Sequence, residues 1–472
     1  MNFIAARIPD GTALIFEDGG RCSYAALERE VADFQAVFPE CGVVFCLCNN
    51  DLPSLRIYLA GLEGAAVALL LPGTIQQDRL EALIAAYCPR YLFHARPDLH
   101  ITGYDSVLWQ GDGYILRATK HPKPYKLHPD LALLLATSGS TGSPKLVRLS
   151  RRNLEANADA IMDYLGIDTS ERAITSLPIH YSYGLSVLNS HLRAGASVVL
   201  TDRSLMDAEY WRLIQRHAVT SFAGVPYSYE MLLKLRIERL NIPTVKTMTQ
   251  AGGRLSPDKI RLVAEACTKK GIRFFTMYGQ TEATARISYL PCARTTEKAG
   301  SIGVAIPAGR LWIEDENGQP IKHPDVTGQL VYAGPNVSLG YAHSWRDLAT
   351  GDVNQGILRT GDLAMFDAQG YFSIVGRMGR FVKLYGIRIS LDAVEKLLAQ
   401  QGLESAVAGD DDQLHVFLAH TPDVDTEAVR DALAATLVVN KAGITVTRID
   451  ALPRLDNGKV DYKILAGISI PP

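Results

Sequence analysis

The chain has 472 residues, 47% of them hydrophobic and 21% charged, with a formal net charge of −2. That length and composition predict two or three folded domains with a sizeable core and exclude wholesale disorder. With near-zero net charge and no block of like charge, non-specific nucleic-acid binding and attachment to an anionic membrane are not expected.

The first seven residues lack a long apolar run, so no signal peptide is expected. The most apolar stretch, Ala65 to Pro72, is too short to span a bilayer. Seven cysteines, of which Cys46 and Cys48 are the closest pair, match no zinc-site spacing. Two residues apart on a strand, that pair shares a face without the geometry of a disulfide, so buried free thiols in a reducing cytosol are expected.

Residues 1 to about 130 alternate in character. Tyr24–Val31 reads as helix, Cys41–Cys48 as strand, Leu55–Glu63 as helix, and Val67–Leu71 as a strand ending at Pro72-Gly73. Such alternation predicts α/β layers. A proline-containing connection near Pro122 and Pro124 leads into the apolar run Leu131–Ala136, which reads as a buried strand. Then comes Thr137-Ser138-Gly139-Ser140-Thr141-Gly142-Ser143-Pro144-Lys145, followed by another strand-like run, Leu146–Leu149. A loop of hydroxyls and glycines between strands can converge its N–H groups into an anion cradle, and the lysine adds charge. It is not the Walker pattern, because Pro144 precedes the lysine and no helix follows. On its own, the same stretch also suits a flexible hairpin turn.

The alternation continues from Arg151 to Leu240. Leu177 to Leu185, with Tyr181, Tyr183 and Gly184, and Phe222 to Tyr227, with Gly224, both gather aromatics and glycine at an apparent strand end, where α/β proteins hold ligands. Gln250-Ala251-Gly252-Gly253-Arg254 precedes a helical pattern over Asp258–Lys269. The strand-like Phe274–Met277 then runs into Tyr278-Gly279-Gln280-Thr281-Glu282, where an aromatic suits base stacking, a hydroxyl a phosphate, and a carboxylate Mg²⁺. Residues 300 to 375 read as β-rich and contain Arg359-Thr360-Gly361-Asp362, whose carboxylate suits a ribose diol or simply a turn. After Gly376-Arg377-Met378-Gly379-Arg380 the pattern changes to a small α+β unit. It has a helix near Leu391–Ala399, a strand over Leu414–Ala419 and a helix over Thr426–Thr436, so a boundary is placed between 1–378 and 379–472. Lys459 lies on an Asn-Gly turn that, alone, reads as surface.

Taken together, 137–145, 278–282, 360–362, 376–377, Lys383 with Gly386 and Arg388, and Pro453-Arg454 through Gly458-Lys459 resemble the adenylate-forming superfamily of acyl-CoA synthetases, adenylating enzymes and luciferase. The resemblance implies a large N-terminal α/β domain with a β-barrel-like part and a small mobile C-terminal domain. It also implies a two-step reaction: a carboxylate attacks the α-phosphorus of ATP to give acyl-AMP, then an acceptor thiol on coenzyme A or a carrier protein displaces AMP. By resemblance, the 137–145 loop holds the β- and γ-phosphates, Thr281 the α-phosphate and Glu282 the Mg²⁺. Tyr278 and Gly279 flank adenine opposite Gly252-Gly253-Arg254, and Asp362 and Arg377 hold the ribose. Lys459 bridges carboxylate and α-phosphate, while Lys383 serves the second step after rotation about Gly379, a position usually aspartate or lysine.

Tyr181 stands where many members carry histidine, and no aspartate near Phe222–Tyr227 pairs an α-ammonium. The resulting acid pocket (Tyr181, Tyr183, Gly224, Tyr227, Gly252 and Met277) suggests a small aryl, cyclic or medium acyl acid. Arg286 reads as surface, or else as a partner for a second polar group on the acid. Two rival readings remain: transfer to an amine, giving an amide, and a non-catalytic AMP-binding sensor.

Overall fold

In the computed structural model the described residues are 3–4, 8–137, 145–385, 387–410, 413–419, 424–454 and 460–466; the side chains of Phe381, Lys383, Arg388 and Lys463 are not described. Two compact units emerge, one formed by 1–310 with 332–358 and the other by 311–331 with 359–472. The position chosen from sequence, between 378 and 379, falls inside the second unit.

The first unit is built on two large sheets. The nine-stranded sheet runs, in spatial order, Val304–Ala305, Ser288–Leu290, Arg273–Tyr278, Thr247–Gln250, Ser221–Gly224, Arg172–Ile174, Ser197–Val199, Thr12–Ile15 and Arg21–Ser23. Its central strands are parallel, with Gly224 opposite Gln250 and Gln250 opposite Thr276. Two of these strands end side by side and the third runs two residues further, so the segments leaving them at Val225, Ala251 and Gly279 open at one edge. The eight-stranded sheet contains Leu131–Ala136 paired antiparallel to Leu146–Ser150, with Ala136 opposite Leu146. The hydroxyl-rich loop thus closes a hairpin; its residues Ser138 to Pro144, and with them Gly139, Ser140, Thr141 and Gly142, lie outside the described residues.

Side-chain alternation assigns the faces. On Val43–Cys48, Val43, Phe45 and Leu47 join one core cluster while Val44, Cys46 and Cys48 join another. The second cluster also holds Leu14 and Val198 of the nine-stranded sheet, so the two sheets enclose a common core. Helices Leu52–Leu62 and Ser182–Ala194 lie in that layer and are buried nearly all round, as a helix between two sheets must be. Their polar groups are paired: Ser186 Oγ donates to the Tyr183 carbonyl at 2.7 Å, and Tyr58 donates to Asn189 Oδ1 at 2.9 Å. All seven cysteines are free, but Cys41 and Cys292 are exposed, so burial accounts for only some of them.

The second unit holds most of the strand Ile357–Phe366 and the strand Phe372–Arg377 paired to it, a hairpin Phe381–Leu384/Ile387–Ser390, and a three-stranded sheet with helices Leu391–Gln400 and Thr426–Leu437. The helix and strand expected near 391–399 and 414–419 are present as Leu391–Gln400 and Leu414–Ala419. No helix among the described residues is long and apolar enough to cross a membrane.

Candidate active site

The segment leaving the strand Arg273–Tyr278 is tightly folded. A side chain on Gly279 would sit 1.5 Å from the Ala285 carbonyl oxygen, so only glycine fits where the loop crosses itself. Thr284 (φ 56°) and Ala285 (φ 97°) then take left-handed conformations that cost free energy in residues with a Cβ. Asn336 fixes them: its Nδ2 donates to the carbonyls of Ala283 at 2.8 Å and Arg286 at 2.9 Å, while Thr284 Oγ1 donates to the Asn336 carbonyl at 2.6 Å. Ser338 N–H donates to the Glu282 carbonyl at 2.9 Å. The turn carrying Thr281 and Glu282 is thereby held by a segment more than fifty residues away in sequence.

Thr281 Oγ1 lies 3.2 Å from Ser182 Oγ, the first residue of the helix Ser182–Ala194. No side chain caps that helix start, so its N–H groups and dipole favour an anion there. Glu282 Oε1 accepts a 2.6 Å hydrogen bond from Tyr341, and the Lys145 ammonium sits 3.4 Å from the centre of the Tyr341 ring. Burial, together with the Glu282 charge, pushes the Tyr341 phenol upward, so it stays a donor to the carboxylate. Sequence reasoning missed both Tyr341 and Asn336; the signal was the Gly340-Tyr341 pair in a glycine-spaced β region.

Glu282 is half-buried, with Oε2 not engaged by any described residue. A hard oxygen donor of this kind fits Mg²⁺, which takes one or two carboxylates and fills its shell with phosphate oxygens and water. Among the described residues no group of three His, Cys, Asp or Glu could hold a metal by itself. Tyr278 is half-buried, its hydroxyl accepting from Gln280 Nε2 at 3.1 Å; Gly253 and Arg254 are exposed, and Thr137 is half-buried at the hairpin's start.

The residues expected to bind the acid separate into groups. The Tyr181 hydroxyl lies 2.4 Å from where a Cβ on Gly252 would stand, so this contact, as well as φ +84°, demands glycine. Burial pushes the Tyr181 phenol up to about 12. Tyr183 and Met277 belong to one buried cluster, whereas Tyr227 is 45% exposed. The space beside Gly224 is taken by Ser228 and Tyr229, each 2.9 Å from where a Cβ on that glycine would stand. Arg286 is not at the surface: it is 1% exposed, and the expectation of a surface role is wrong because the strained turn folds it inward.

Within the second unit, Asp362 faces Arg377 across paired strands, and Arg377 Nε donates to its carboxylate at 2.8 Å. Gly379 is exposed, and nothing lies within 4 Å of where its Cβ would stand. Arg380 is anchored by Asp392 at 2.9 Å, Glu395 at 2.8 Å, the Val407 carbonyl at 2.7 Å and the face of Tyr462 at 4.1 Å. Lys383 lies on the strand Phe381–Leu384. Lys459 lies outside the described residues.

Layered sheets, an uncapped helix start, and a carboxylate and an ammonium sharing one tyrosine are compatible with an adenylate-forming enzyme. A family model described as "AMP-binding enzyme" matches residues 3–342, and the chain belongs to that family. It is 31% identical over 353 residues to an indoleacetate–CoA ligase of Aromatoleum aromaticum, covering 72% of this chain and 68% of that one. It is 29% identical to a 2-succinylbenzoate–CoA ligase of Bacillus velezensis, over 88% of this chain and 85% of that one. Its fold is shared with ATP-bound MatB from Rhodopseudomonas palustris (TM-score 0.78, 23% identity, 98% of both chains). The O-succinylbenzoate coenzyme A synthetase of Bacillus subtilis in complex with AMP is similar too (TM-score 0.77, 24% identity, 96% of this chain and 94% of that one).

Proposed function

We propose that the protein is an ATP- and Mg²⁺-dependent carboxylic acid ligase that forms an acyl-adenylate and passes the acyl group to the thiol of coenzyme A. The observation that carries this reading is the Lys145–Tyr341–Glu282 cluster beside Thr281 and an uncapped helix start. The chemical problem is repulsion between a carboxylate and a triphosphate, and it is met by fixed positive charge and aimed donors. Lys145 supplies charge to the β- and γ-phosphates, and Thr281 with the Ser182 end of its helix receives the α-phosphate. Bound to Glu282, Mg²⁺ would neutralise phosphate charge. Tyr278 stacks on adenine next to Gly252 and Gly253, and the Asp362–Arg377 pair holds the ribose. Lys459 is assigned the charge that builds between carboxylate and α-phosphorus. Residues 379–472 are read as the moving part, turning about Gly379 to bring Lys383 forward for thioester formation. Coenzyme A is favoured over a carrier protein by the relatives named above.

The test is pyrophosphate release across a panel of aryl, cyclic and aliphatic acids, followed by mass identification of the product formed with coenzyme A. Background release with every acid would sink the reading. Lys459→Ala should abolish adenylation while sparing use of preformed acyl-AMP.

A further inference from the structure

Arg286 is a guanidinium sealed inside the first unit, and it forms no ion pair with any described residue. Its Nε donates to Ser186 Oγ at 3.2 Å, its Nη1 to the Tyr164 hydroxyl at 2.9 Å and to Met277 Sδ, and the Tyr183 ring lies under it at 4.5 Å. Every one of these partners is neutral. Nη2 donates to none of the described residues, and Arg286 lines a small cavity of about 20 Å³ together with Val187, His191, Ser221 and Thr249. Glu171 lines the same cavity, but Thr220 Oγ1 and Lys246 already engage it, and Arg273 adds a further positive charge to the wall. A buried charge without a counter-charge is costly, and it is most simply retained where a ligand completes it.

Tyr183 and Met277, which touch Arg286 directly, are the residues that the proposed acid pocket shares with it. We infer that Arg286 is a specificity residue that receives a second anionic group on the acid. The substrate class is then a compact dicarboxylic acid, one carboxylate being adenylated and the other held by Nη2. This inference rests on the ligase reading for the identity of the pocket.

The experiment is calorimetric binding of malonate, succinate, glutarate and isophthalate, each against its monomethyl ester, to the wild type, Arg286→Met and Arg286→Lys, with pyrophosphate release measured alongside. At least one diacid should bind the wild type about 10- to 100-fold more tightly than its monoester, as expected for a charge-assisted hydrogen bond in a desolvated site. Arg286→Met should erase that gap with monoester binding unchanged, and Arg286→Lys should restore part of it. Equal or better binding of the monoesters, no binding of any diacid, or a preference that survives in Arg286→Met overturns the inference. Diacid preference without pyrophosphate release supports the anion site and counts against the ligase reading. Release confined to monocarboxylic acids does the opposite.

Discussion

The Tyr341 hydroxyl donates to Glu282 at 2.6 Å while its ring carries the Lys145 ammonium on one face. One side chain thus orients both the carboxylate assigned to the metal and the lysine assigned to the phosphates. Tyr341→Phe keeps the ring and removes the hydroxyl, so Glu282 loses its orienting donor. The Mg²⁺ concentration needed for half-maximal pyrophosphate exchange should rise about tenfold, as expected for one charge-assisted hydrogen bond, with a smaller change in the KM for ATP. Tyr341→Ala should raise that KM as well. An unchanged Mg²⁺ dependence in the phenylalanine variant would show that the hydroxyl does not orient the carboxylate.

Asn336 stabilises the strained turn, since its amide satisfies two carbonyls on either side of Thr284 and Ala285. Asn336→Ala removes the donor to the Ala283 carbonyl, while Asn157 Nδ2 still donates to the Arg286 carbonyl at 3.1 Å, and should cost about 1–3 kcal/mol of stability, read from denaturant unfolding. Adenylation should fall together with it, because Thr281 and Glu282 ride on the same turn. A variant as stable as the wild type would mean that the turn holds itself.

Gly379 has open space at its Cβ position and is not among the residues with positive φ. Gly379→Ala is therefore expected to leave the melting temperature and the adenylation step unchanged. If the residue is the pivot, thioester formation from preformed acyl-AMP should slow in Gly379→Pro, whose ring restricts φ, far more than in Gly379→Ala. Equal thioester rates in the wild type and both variants would remove Gly379 from the mechanism.

His94 and His191 are buried, and burial lowers each imidazole to about 4. The unfolded chain, with a histidine value near 6.5, binds protons that the native state refuses between about pH 6.5 and 4. Stability should therefore decline as pH falls through that window, by about 1.4 kcal/mol per pH unit for each imidazole at the steepest point. His191 Nδ1 lies 2.8 Å from the Val187 carbonyl and Nε2 lies 3.1 Å from Ser221 Oγ, contacts that suit a neutral ring. His191→Gln should flatten the pH dependence of unfolding, and an equally steep curve would assign the effect to other groups.

The strands and helices were legible wherever local pattern and tertiary environment agree. The apolar run Leu131–Ala136 forms a strand over those residues, and the alternation around Cys46 and Cys48 places both on one face. Thr281 and Glu282 could be singled out in sequence because a hydroxyl and a carboxylate stand side by side just after a strand. Tyr341 and Asn336 were not, because each acts on a turn more than fifty residues away and no local spacing encodes that meeting. Arg286 misled for a related reason: a lone arginine in sequence reads as solvated, and only the inward fold of the strained turn shows otherwise.

Arg380 is bolted to Glu395, and Tyr462 donates to the same carboxylate oxygen at 2.8 Å. If the chain pivots at Gly379 as proposed, its neighbour Arg380 is already tied through Glu395 to the start of the helix Tyr462–Ala466, so a turn there would be felt at that helix.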